Sequence, residues 1–122
     1  MKIRRFIKSF KDAGRGIKYV FTHEQNFRIQ LLVATVVIIL MFILGLRSSE
    51  VVVILFLILA VLILELLNSA LEKFVDLLKP RLHYQVEVIK DIMAAMVLVV
   101  SLGALLIGAI IFLPYISQLF II

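Results

Sequence analysis

The chain has 122 residues, of which 64% are hydrophobic, and a formal net charge of +5; its mean hydropathy is +1.19. Long uncharged runs at that hydropathy mark an integral membrane protein and exclude a water-soluble globular domain. Cysteine is absent, which removes disulfides and thiolate metal sites.

In residues 1–27, Ile3, Phe6, Ile7, Phe10, Ala13, Ile17, Val20 and Phe21 recur at three- and four-residue spacing, and basic residues take the other face. This pattern predicts an amphipathic helix lying on the membrane surface, its cations toward anionic head groups. A basic face coupled to an apolar one argues against nucleic acid as a partner. Gly14 and Gly16 predict a bend in the middle of this helix.

The first apolar run starts only near residue 29 and lacks a small-residue cleavage pattern, so 29–46 reads as a membrane helix rather than a secretory signal. The second membrane helix is predicted over 51–78, with 51–67 as its crossing portion. Lys79-Pro80-Arg81-Leu82-His83-Tyr84-Gln85 reads as the turn that ends it. The third is predicted over 85–113, entering lipid after Asp91, with Pro114 and Tyr115 at its outer end. No repeat or shift in composition divides 1–122, which reads as one domain.

Basic residues cluster before the first span (Lys2, Arg4, Arg5, Lys8, Lys11, Arg15, Lys18, Arg28) and between the second and third (Lys73, Lys79, Arg81, Lys90). Arg47 stands alone in the first short loop, and no basic residue follows the third span. The positive-inside bias therefore puts the N-terminus and the second loop in the cytoplasm and the C-terminus outside.

The second helix carries the chemistry. Glu65, Asn68, Ser69, Glu72 and Asp76 follow an uncharged run at spacings of i, i+3, i+4, i+7 and i+11, on one helical face. At ~1.5 Å per residue from Val51, Glu65 lies roughly 21 Å in, beneath the inner edge of a core about 30 Å thick, and Glu72 lies ~10 Å further along. One face thus joins a carboxylate at lipid depth to carboxylates at water depth. Carboxylates at lipid depth are costly and are retained for a task. Phosphoryl transfer has this need: a base near a hydroxyl in lipid, and hard oxygen ligands for Mg²⁺ on nucleotide phosphates in water. Desolvation would suit Glu65 to accept a proton near neutrality. Glu24, Glu72, Asp76 and Asp91 offer oxygen ligands, and Lys90 can neutralise phosphate. A P-loop is absent, so any nucleotide site must be assembled from helix side chains. Three spans can hardly surround such a site, which points to an oligomer. A small proton-coupled transporter using Glu65 is the alternative, although no repeat accompanies the carboxylate.

The run Glu65-Leu66-Leu67-Asn68-Ser69-Ala70-Leu71-Glu72, followed by Asp76, resembles the signature of the prokaryotic diacylglycerol kinase family, which includes the undecaprenol kinases. Ser9-Phe10, Ala13, Gly16-Ile17, Phe21, Glu24, Asn26, Arg28-Ile29 and Lys90-Asp91 extend the resemblance over nearly the whole chain. It implies an all-α membrane protein of the bacterial plasma membrane, with a surface helix, three transmembrane helices and a homotrimeric assembly, that uses MgATP to phosphorylate a lipid alcohol. It further implies Glu65 as proton acceptor, with Asn68 ordering the site. Glu24 and Glu72 would bind metal and nucleotide, Lys90 and Asp91 would contact ATP, and Asp76 would support them. Asp12 stands where many relatives carry Tyr, Gln30 where His is frequent, and Met93 and Met96 where small residues are usual. These departures bear on substrate preference, and the pattern leans toward undecaprenol over diacylglycerol.

Overall fold

Helix is the only regular structure among residues 2–121, the part of the chain that the computed structural model describes. Four helices follow in order: α1 Lys2–His23, α2 Gln25–Leu44, α3 Ser48–Asp76 and α4 His83–Phe120. The last three are each long and apolar enough to cross a bilayer. At ~1.5 Å per residue, α3 is about 43 Å long and α4 about 57 Å, so both outrun a hydrocarbon core of about 30 Å.

The helices differ from those expected in one missing bend and in where they end. α1 is continuous through Gly14 and Gly16, because a glycine lowers helix propensity but removes no backbone hydrogen bond. It stops at His23, short of residue 27. There the Arg28 guanidinium reaches back and donates to the carbonyls of Phe21 (2.7 Å) and Thr22 (3.2 Å), satisfying the open end of the helix. Glu24 alone, in extended conformation, separates α1 from α2. At the other end of the chain, α4 passes through Pro114 and runs on to Phe120 instead of ending at residue 113. Proline forfeits one ladder bond, but the segment beyond it is held from the side: the Tyr115 hydroxyl donates to Glu50 near the start of α3.

α2 ends where Gly45 takes a left-handed conformation (φ 65°) and returns its N–H to Met41 O, a turn that a residue with a Cβ adopts only at a cost. α3 then starts at once, and Glu50 accepts the Arg47 N–H at 3.2 Å. The antiparallel α3–α4 pair is thus pinned at one end by Glu50–Tyr115 and at the other by Lys90 Nζ–Asp76 Oδ1, 2.7 Å apart. Lys79 pairs with Glu87 at 3.1 Å and ties the intervening turn to α4. Asp76 has Lys73 and Lys79 within a turn on its own side, yet its close ion pair comes from the neighbouring helix.

α3 is the hub, packing along α4 most extensively and then along α2. The seam repeats every seven residues: Phe27, Ala34 and Met41 on α2, Ile54 and Val61 on α3, Val86 and Met93 on α4. Glu65 and Ser69 continue the α3 stripe inward. Outward faces are strongly apolar, as at Phe42, Phe56 and Leu105, a surface suited to hydrocarbon and not to water. Removing the Tyr115 hydroxyl tests the pin: Tyr115→Phe leaves Glu50 with only its Arg47 donors and frees the end of α4, which should lower stability, read by equilibrium unfolding in mixed micelles.

Candidate functional site

The polar stripe of α3 meets the α1–α2 joint. Glu65 and Ser69, one helical turn apart, are both buried, at 5% and 4% exposure. Glu24, held in the one-residue joint, accepts a hydrogen bond from Ser69 Oγ at 3.5 Å. The charges of Glu24 and Glu72 both act on Glu65, and the Gln30 amide stands beside its carboxylate. Asn68 Nδ2 donates to Glu72 Oε1 at 3.5 Å, one turn further along α3. Residues 45 positions apart in the chain thus share one polar cluster.

The cluster grades from buried to wet. Glu65 and Ser69 are inaccessible, Asn68, Glu72 and Glu24 are half-buried, and Asp76 is exposed. Beside Glu72, the Lys73 ammonium lies 4.9 Å over the Tyr19 ring, and Tyr19 stacks on His23. Among the described residues, no three His, Cys, Asp or Glu side chains converge as a metal cage.

Of the expected site residues, the structure brings Glu65, Glu24, Glu72 and Asn68 together. Lys90 reaches the wet end of the same α3 face through Asp76, whereas Asp91 is exposed and stands outside that pair. Gln30, noted from sequence only as a departure from a familiar pattern, is a neighbour of Glu65. Its distance along the chain hides this, and only the antiparallel register of α2 on α3 shows it.

On the far side of Gln30, a groove of about 480 Å³ opens between α2, α3 and α4. Its walls include Val33, Ala34, Val37 and Leu40 from α2, Ile54, Ile58 and Val61 from α3, and Ala104, Gly108 and Phe112 from α4. Gln30 and Ser101 are the polar residues in an otherwise apolar lining. Gln30 therefore stands between the acidic cluster and an apolar channel.

Comparison with known proteins identifies the family. The family model of prokaryotic diacylglycerol kinase matches residues 11–112. An undecaprenol kinase of Bacillus subtilis is 39% identical over 113 residues, covering 93% of this chain and 92% of that protein. A diacylglycerol kinase of Synechocystis is 34% identical over 114 residues, which span 93% of this chain and 65% of that protein. A diacylglycerol kinase of Haemophilus influenzae is 36% identical over 81 residues, 66% of this chain and 69% of that protein. No solved structure gives a significant match. Nothing in these relatives supports a transporter. The chain belongs to the prokaryotic diacylglycerol kinase family and is a lipid kinase built on three helices fit to cross a membrane.

Proposed function

We propose that this kinase transfers the γ-phosphoryl group of ATP to the hydroxyl of undecaprenol or a similar single-chain lipid alcohol, with Glu65 as the proton acceptor. The observation that carries this reading is the placement of Glu65: buried, with Gln30 and the apolar groove to one side and Glu24 and Glu72 to the other. A lipid tail laid in the groove brings its alcohol to the carboxylate from the oily side. The nucleotide arrives from the wet side. The substrate O–H gives its proton to Glu65 as its oxygen attacks the γ-phosphorus; the new O–P bond forms while the bridging bond to the β-phosphate breaks, releasing ADP.

Glu24 and Glu72 are assigned to Mg²⁺. Two carboxylates without a third protein ligand suit an ion that keeps waters and takes its remaining oxygens from phosphates. When bound, Mg²⁺ offsets phosphate charge. Asn68 holds Glu72 through its amide. Lys90 would exchange Asp76 for phosphate oxygens, and Asp91 would contact the nucleotide beside it. The remaining parts of the reading rest on charge and on family resemblance: one domain over 1–122, α1 flat on the cytoplasmic face of the bacterial plasma membrane, the N-terminus inside, and a homotrimer. Undecaprenol is favoured because the groove is apolar beyond Gln30 and Ser101, which suits one hydrocarbon chain better than a diacylated glycerol. Radiolabelled ATP, with both lipids competing in mixed micelles, should yield mainly polyprenyl phosphate. A predominance of phosphatidic acid would reassign the substrate, and proton-coupled uptake without ATP consumption would overturn the reading.

A further inference from the structure

Ser101 on α4 has a hydroxyl oxygen that is fully buried and has no hydrogen-bond partner among the described residues. An unpaired buried hydroxyl is destabilising and calls for an explanation. The usual remedy in a helix is a bond back to a carbonyl one turn earlier. Ser9, Thr22 and Thr35 each do this, to Arg5 (2.9 Å), Lys18 (3.0 Å) and Leu31 (2.8 Å). Ser101 does not. It lines the groove instead, with Gln30 as the other polar residue there.

The two pins of the α3–α4 pair place Ser101 at the depth of Glu65. From Asp76–Lys90, Glu65 lies ~17 Å along α3 and Ser101 ~17 Å along α4 at ~1.5 Å per residue. From Glu50–Tyr115 at the opposite end, the same spacing gives ~22 Å and ~21 Å. Both ends give one answer. Gln30 of α2 adjoins Glu65, so Gln30 and Ser101 form a polar collar at the end of the groove nearest Glu65, which lies just beyond Leu62 of the lining. Below the collar the groove walls carry no hydrogen-bonding side chain.

We infer that Ser101 binds the hydroxyl of the lipid alcohol, supplying from α4 the hydrogen bond that fixes the substrate oxygen against Glu65. This rests on the proposed kinase site and adds a substrate-binding residue to it. The alcohol donates its proton toward the carboxylate, and the Ser101 O–H donates to the alcohol oxygen. One lone pair remains to face the phosphoryl group. The orphan hydroxyl thereby gains its partner only when substrate is bound.

Threonine and valine have nearly the same shape and differ in the hydroxyl, so the test compares Ser101→Thr with Ser101→Val in the full-length protein. With undecaprenol and MgATP in mixed micelles, Ser101→Val should raise the lipid KM about five- to tenfold and Ser101→Thr by no more than about twofold, with the ATP KM unchanged in both. A deoxy analogue of the lipid, lacking the hydroxyl, should inhibit the two variants equally. Coincident lipid KM values for the two variants would overturn the assignment, as would equal rises for lipid and ATP. A changed oligomer mass with an unchanged lipid KM would put a second copy of the chain against Ser101 and overturn it as well. Wild-type protein inert toward every lipid alcohol would instead defeat the kinase-site reading itself.

Discussion

Glu65→Gln should lower turnover by about 10²- to 10⁴-fold, the range of a lost general base, while assembly and unfolding behaviour stay as in the wild type. Glutamine keeps the shape of the side chain and its place beside Gln30 but cannot take a proton from an alcohol. It also removes one of three carboxylates that repel each other in a partly dry cluster, so the folded protein has no reason to weaken. Lipid phosphorylation with radiolabelled ATP gives the rate, and unfolding in mixed micelles gives the control. Activity close to wild type in a correctly assembled variant would remove Glu65 as the base. Added Mg²⁺ should not restore the variant, because the missing function is proton acceptance.

The magnesium response separates the other two carboxylates from Glu65. Glu24→Gln and Glu72→Gln should each lower kcat/KM for MgATP by at least about 100-fold, as expected when an ion that offsets phosphate charge is weakened. High Mg²⁺ should recover part of that loss in each single variant. The double variant should lose less than the product of the two single losses, as the proposal that both side chains serve one ion requires. A Mg²⁺ titration at fixed ATP reads all three. Indifference to Mg²⁺ together with a full multiplicative loss would mean that Glu24 and Glu72 act separately, the former as an acceptor for Ser69 and the latter for Asn68.

What could be read from the residues follows the reach of local spacing. Glu65 and Ser69 are four apart and lie on the face that Ile54 and Val61 mark, so both fall on the buried side of α3. The helical class and the three long apolar helices follow from the same kind of periodicity. Partners chosen across helices were hidden. Asp76 has Lys73 and Lys79 within a turn, yet its close ion pair is with Lys90 on α4. Gln30 meets Glu65, and Ser101 reaches the same depth, only because α3 lies antiparallel to both neighbours. Two helix ends depart from local spacing, each for its own reason. Arg28 closes α1 early by reaching back across the joint, and the Tyr115–Glu50 bond carries α4 past a proline that would otherwise end it. Lys90 and Asp91, neighbours in the chain, part company in the fold, where Lys90 pairs with Asp76 and Asp91 stands outside that pair. Adjacent residues on a helix diverge by about 100°, and only one of them can face α3.

The joint between α1 and α2 is one residue long, and that residue is Glu24. A hinge so short has no slack: with Arg28 clasping the last carbonyls of α1, any tilt of the first helix turns directly into displacement of this carboxylate. On the proposed reading, in which α1 lies on the membrane surface and Glu24 holds the metal, lateral pressure or curvature that rocks α1 would be felt first as a change in metal-ion affinity, ahead of any change in the grip on the lipid.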